Sequence, residues 1–267
     1  MYEIGNMSAV QRVALITGSA SGIGAACARR LAAKNVNLLL VDRQGEALQT
    51  IAQELSKTVR TSFFVCDITD DKAVEGAVSS AKGEFGRIDI LANIAGGSVG
   101  VKGGRVEDFS GEDWDRVMNA NLRSTFMFCK FVVPMMREQK FGRIINTSST
   151  LARGRTGSQD TSAARLPYAA AKAGVLGFTS QLAKDLGSEG ITVNAILPWL
   201  TIAPNSNQAA YLAFMAMSAE ARERQLSLSP FKRPATADEV AAAIEFLASD
   251  DASYISGVAL PIDGAFL

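Results

Sequence analysis

Arg12 to Thr17 (Arg-Val-Ala-Leu-Ile-Thr) is an apolar run that leads directly into Gly18-Ser-Ala-Ser-Gly22-Ile-Gly24, and an alanine-rich stretch then reaches about Lys34. Strand, glycine turn and helix in immediate succession leave few options. They open an α/β sheet in which the turn meets a phosphate group. Glycines let backbone come close to a ligand, and a helix N-terminus offers free N–H groups and partial positive charge. Gly18, Ser21, Gly22, Ile23 and Gly24 are therefore candidate dinucleotide contacts. The spacing is Gly-x-x-x-Gly-x-Gly, not the commoner Gly-x-Gly-x-x-Gly. A tight strand-to-helix turn without a ligand is the alternative.

The same alternation continues along the chain. Strands are expected at Asn37 to Asp42, Thr61 to Val65, Ile88 to Asn93, Gly142 to Thr147, Thr192 to Leu197 and Val258 to Ile262. Helices are expected from Glu46 to Lys57, Asp71 to Phe85, Ser110 to about Arg137 with Pro134 bending the last turn, and Pro167 to about Gly187. Thr236-Ala-Asp-Glu239 forms a capping box for a last helix to about Ser249. The pattern predicts one α/β domain, a parallel doubly wound sheet with helices on both faces. Met1 to Gln11 has neither a basic cluster nor an apolar core, so it reads as a short loose arm and not a secretory signal. Trp199 to Pro230 has no strand pattern and contains Tyr211-Leu-Ala-Phe-Met-Ala-Met217. It reads as a helical substrate lid, or else as a packed helix or oligomer contact.

Several strand ends carry polar groups suited to a nucleotide. Asp42 can accept hydrogen bonds from an adenosine ribose and repel a 2′-phosphate, which favours NAD over NADP. Arg43 argues the other way, since a guanidinium can hold that phosphate. Asp67, beside Ile68, either meets the adenine or caps the helix that begins near Asp70. Asn93-Ile-Ala95-Gly96-Gly97 suits a crevice wall, or a plain loop turn.

Composition removes other classes. Lys plus Arg equals Asp plus Glu at 27 each, so neither nucleic acid nor an anionic membrane is an expected partner. Cys27, Cys66 and Cys129 are far apart and form no metal spacing, which fits a reducing cytoplasmic setting. The chain has no histidine, which excludes Ser-His-Asp and Cys-His hydrolysis and most zinc chemistry within it.

Tyr168-Ala-Ala-Ala-Lys172 puts a phenol and an ammonium on one face of an Ala-rich helix, with Pro167 in its first turn. Bringing a tyrosine from a pKa of about 10 to near neutrality takes about 4 kcal/mol. One positive charge at about 4 Å, in an effective dielectric near 20, supplies about that much. The spacing makes a credible proton-transfer device, and a surface pair is the alternative.

Taken in order, Thr17-Gly-Ser-Ala-Ser-Gly-Ile-Gly24, Asn93-Ile-Ala-Gly96, Asn121, Asn146-Thr-Ser-Ser149 and Tyr168-Ala-Ala-Ala-Lys172 resemble the short-chain dehydrogenase/reductase family over nearly the whole chain. The resemblance implies a seven-stranded Rossmann sheet in homotetramers or homodimers, and reversible hydride transfer between NAD(P) and a secondary alcohol or its ketone. It implies Tyr168 as general acid/base, with Lys172 lowering its pKa and holding the nicotinamide ribose. Ser149 would bind the substrate oxygen, and Asn121 a water linking Lys172 to solvent. Pro198 and Thr201 would lie on the nicotinamide side.

Four departures stand out. The Ser149-to-Tyr168 gap is longer than usual, so the polar, basic Thr150-to-Leu166 segment enlarges the substrate loop, and its arginines hint at an anionic or polar substituent. Trp199 follows Pro198 where glycine is common. Thr201 is a displaced candidate for the usual threonine, whose place Ala203 takes. Ala265 follows Asp263-Gly264 where a second glycine is common. The leading expectation is an NAD-dependent alcohol dehydrogenase or ketone reductase. An NADPH-dependent ketoacyl reductase and a non-catalytic dinucleotide sensor are the alternatives.

Overall fold

A computed structural model describes residues 11–155, 165–203 and 209–267. The expected N-terminal arm falls almost wholly outside these residues, as does the centre of the enlarged loop. Seven strands form one fully parallel sheet in the order β3-β2-β1-β4-β5-β6-β7. They are β1 Val13–Thr17, β2 Asn37–Asp42, β3 Thr61–Val65, β4 Ile90–Asn93, β5 Gly142–Thr147, β6 Ile191–Pro198 and β7 Ala259–Ile262. The order reverses direction between β1 and β4. This is where such sheets open a crevice beyond their C-terminal ends.

Alternation along each strand sorts side chains to two cores. Ala14, Ile16, Leu38, Leu40 and Ile145 pack with helices α1 (Gly22–Ala33), α2 (Gly45–Leu55) and α9 (Ala237–Ala248). Leu15, Leu39, Leu91, Ile144 and Val193 pack the other way, against α3 (Asp71–Phe85), α5 (Ser124–Gln139) and α6 (Arg165–Leu186). Both faces are covered, so the strands read as unbroken apolar runs. Asp70 caps α3 by accepting from Lys72 N and Ala73 N, and the Thr236–Glu239 capping box of α9 forms as expected. No helix among the described residues is long and apolar enough to cross a membrane.

The helix expected from Ser110 is interrupted. Ser110 caps α4 (Gly111–Met118), a π-helical turn occupies Asn119–Arg123, and α5 follows and continues through Pro134. Ser124 N–H donates to Asn119 O, five residues back. In the Trp199-to-Pro230 region the described helices are α7 (Ala209–Met215) and α8 (Ala219–Leu226).

Beyond β7 the chain turns on Asp263, whose carboxylate accepts from Ala265 N and Leu267 N, both at 3.0 Å. Ala265 sits at φ +64°, a left-handed conformation that favours glycine. The alanine noted in the sequence as a departure thus carries backbone strain. Ala265→Gly is expected to stabilise the protein by about 1 kcal/mol, read as a higher denaturant midpoint at unchanged slope.

Candidate active site

A cleft of about 750 Å³ crosses the C-terminal edge of the sheet and joins most of the residues singled out above. At one end lie Gly18, Ser21, Gly22, Ile23 and Gly24 with Asp42, Arg43, Asp67 and Ile68; Ala95 and Gly96 line its wall; Ser149, Tyr168, Lys172, Pro198 and Thr201 line the same cavity.

The glycine turn is held from below. Ser19 N and Oγ both donate to Val41 O, at 3.3 and 3.2 Å, and Ala20 N donates to Asp42 Oδ2 at 3.1 Å. The other Asp42 oxygen accepts from Gln44 N at 3.0 Å. Asp42 therefore braces the turn from the end of β2 and still lines the cleft. Gly18 (φ +70°) leaves no room for a side chain, since a Cβ there would stand 3.0 Å from Ala95 N. These features fit a dinucleotide: close-packed backbone, a helix start in the cleft wall, and an acidic side chain beyond it. Asp67 neither caps α3 nor stands unengaged. It accepts from Thr69 N and Thr69 Oγ1, which holds its carboxyl below the usual range.

Ser149 ends the run after β5 in an extended conformation. Its Oγ accepts from Leu151 N at 3.2 Å, and the hydroxyl also hydrogen-bonds the Tyr168 phenol. Lys172 is 3% exposed, and its Nζ donates to Thr147 O at 2.7 Å. The same Nζ stands 5.5 Å from the centre of the Tyr168 ring. The Tyr-x-x-x-Lys pair thus faces one cavity together with Ser149.

The electrostatics correct one expectation. Burial pushes the Tyr168 phenol up, to about 12, and the Ser149 hydrogen bond opposes this only in part. Burial pushes Lys172 down, to about 7. Here Lys172 does not bring the phenol towards neutrality. Its Nζ donates to Thr147 O, and burial disfavours the charged form of both groups.

Two expected contacts lie off the cleft. Asn93 is buried under it and donates from Nδ2 to Asn146 Oδ1 at 2.9 Å, and Asn146 in turn donates to Thr179 Oγ1. It ties β4 to β5 and α6. The Asn121 amide is also fully engaged. It accepts from Gly97 N at 2.9 Å and donates to Gly97 O and Val117 O, both at 2.8 Å. The π turn brings this amide against the Gly96–Gly97 backbone, and a Cβ on Gly96 would stand 2.5 Å from Asn121 Oδ1. Asn121 therefore positions the loop that forms the cleft wall.

Sequence reasoning missed Leu151, Arg116 and Gln225, which also line the cavity. They belong to no motif. Trp199 was visible only as a departure. It lines the cleft and stacks on Phe266 at 5.2 Å between ring centres.

Comparison with known proteins agrees with this geometry. A family model described as Enoyl-(Acyl carrier protein) reductase matches residues 18–266. The chain belongs to the short-chain dehydrogenase/reductase family, nicotinamide-dependent oxidoreductases acting on alcohols and ketones. Among the similar proteins is levodione reductase of Leifsonia aquatica, 37% identical over 95% of this chain and 93% of that one. D-threitol dehydrogenase of Mycolicibacterium smegmatis is 37% identical over 96% and 92%. A 3-oxoacyl-(acyl-carrier-protein) reductase of Thermotoga maritima is 35% identical over 96% and 98%. The crystal structure of levodione reductase superimposes with a TM-score of 0.84 at 36% identity, covering 95% of this chain and 96% of that one.

Proposed function

We propose that this protein is an NAD-dependent dehydrogenase or reductase of small to medium secondary alcohols and ketones, with Tyr168 as the proton-transferring group. The observation that carries the reading is the convergence of Tyr168, Ser149 and Lys172 on the cleft that starts at the glycine turn. The nicotinamide cofactor, when bound, accepts or donates the hydride. The turn from Gly18 to Gly24 would hold its phosphates and Asp42 its adenosine ribose. Ser149 orients the substrate oxygen, and Tyr168 gives it a proton in reduction or takes one in oxidation. Lys172 anchors the base of the site through Thr147 O and presents its charge to the phenol and a ribose. Residues 199–230 act as a lid, the working form is a homo-oligomer, and the setting is cytoplasmic.

The cofactor preference rests on Asp42 in the cleft wall, where a 2′-phosphate would meet a carboxylate already accepting two backbone N–H groups. The expected ratio of kcat/KM for NAD over NADP is at least about ten, and Asp42→Ala should lower it by about that factor. A wild-type preference for NADP would reject the proposal. It would favour a second reading as an NADPH-dependent 3-ketoacyl reductase, for which the similarity to the Thermotoga enzyme speaks.

The Tyr168 phenol, at about 12, is protonated throughout the neutral range. Reduction uses that protonated form, so Tyr168 itself imposes no loss of rate until strongly alkaline conditions. Oxidation needs the phenolate, so its rate should climb with pH as the folded-state pKa is approached. Steady-state rates in both directions across the alkaline range check this; an oxidation rate already level at neutral pH contradicts it.

A further inference from the structure

The cleft contains a cation that no acidic group among the described residues balances. From Ser149 the chain makes the short turn Thr150–Arg153 and reverses at Gly154, at φ +75°. Arg155, which follows, lines the same cleft as Leu151, Ser149 and Tyr168. Arg155 is half-buried, and among the described residues its guanidinium makes no hydrogen bond and no ion pair. Arg165, at the start of α6, donates to the Arg155 carbonyl and so holds a second positive charge nearby. Burial and that charge together push the Arg155 guanidinium below its usual range.

Arg116, which also lines the cleft, pairs with Asp113 at 3.3 Å. The carboxylates among the described cleft-lining residues are Asp42 and Asp67, both engaged with backbone at the ends of β2 and β3. Removing a guanidinium from water without a partner is costly, so a position like this is retained where an anionic ligand repays the cost. The planar fork of arginine matches the two oxygens of a carboxylate. A phosphate ester carries a charge nearer two and three acceptor oxygens, more than one available fork satisfies.

We propose that Arg155 determines specificity by receiving a carboxylate carried by the substrate, while Ser149 and Tyr168 receive the reacting oxygen. The substrates are then hydroxy acids and the corresponding keto acids. This rests on the oxidoreductase reading of the same cleft, which it narrows. The test is calorimetric binding to the full chain with saturating NAD. The ligands are short straight-chain hydroxy acids, their methyl esters and hydroxyalkyl phosphates, each measured against wild type, Arg155→Gln and Arg155→Lys. Wild type should bind the best acid roughly ten- to a hundred-fold more tightly than its ester. Arg155→Gln should remove that preference and leave ester binding within about two-fold, and Arg155→Lys should keep part of it. Equal binding of acid and ester by wild type overturns the assignment. So does an acid preference that survives in Arg155→Gln, or tighter binding of the phosphates. Turnover, followed by nicotinamide absorbance, separates the two levels. Selective binding of acids without oxidation of any ligand upholds Arg155 and defeats the redox reading. Oxidation of acids and esters alike, unchanged in Arg155→Gln, does the reverse.

Discussion

Tyr168→Phe should lower kcat by about a thousand-fold in both directions while changing dinucleotide affinity by less than about two-fold. The substitution removes one oxygen and leaves the ring in place beside Val101, Val117 and Ala171. What disappears is the hydroxyl that hydrogen-bonds Ser149, and with it the proton donor and acceptor. General acid–base catalysis is typically worth 10²- to 10⁴-fold, so an effect of this size identifies the role. A structural role would instead show in the melting temperature, which should barely move. Ordinary turnover by the phenylalanine variant would remove Tyr168 from the chemistry.

Gly24→Ala should be the most damaging single-methyl change in the nucleotide end of the cleft. A Cβ there would lie 2.0 Å from Gly18 O, 2.6 Å from Gly18 C and 2.9 Å from Ser19 Cα. All three atoms are backbone, so none can swing aside. The helix and the turn must separate, and Ser19 and Ala20 are pinned to Val41 and Asp42. Overpacking of this kind costs about 3 kcal/mol, or roughly 5 °C in melting temperature for a chain of this size. Dinucleotide affinity should fall at least about ten-fold, since the N–H groups at the start of α1 lose their aim. Gly83→Ala is the control. It lies on the exposed side of α3 with nothing within 4 Å of its Cβ, and should stabilise by about 0.5–1 kcal/mol. A Gly24→Ala protein that melts and binds like the parent would show that the turn is more pliant than its hydrogen bonds suggest.

The strands were legible because a parallel sheet covered on both faces needs unbroken apolar runs; β2, β3 and β5 span the residues expected of them. The glycine turn was legible because tight backbone approach leaves its mark in residue type. The position of Asn121 was not. A helix of constant period is what pattern reading assumes, and the extra residue at Asn119–Arg123 breaks that period. Asn93 was misplaced for a related reason: strand ends alternate faces, and its register opposite Asn146 turns its amide into the protein. The direction of the Tyr168 pKa depends on how much protein surrounds the hydroxyl, which spacing along a helix does not encode. Arg155 was visible only as one of several arginines in a basic loop; that its guanidinium has no partner among the described residues is a property of three dimensions.

The widened turn at Asn119–Arg123 also governs what length changes this region can absorb. Shortening that stretch by one amino acid would let α4 and α5 merge into a single regular rod, locally a more comfortable conformation. It would also rotate everything before the deletion by about 100° relative to everything after it. Trp114 and Val117 would then leave their places while Phe128 and Val132 kept theirs. The locally less regular geometry is therefore what lets a single rod serve two partners, the crevice with its first half and the sheet with its second. Single-residue indels should be tolerated far worse there than in the Gly-rich connection just upstream.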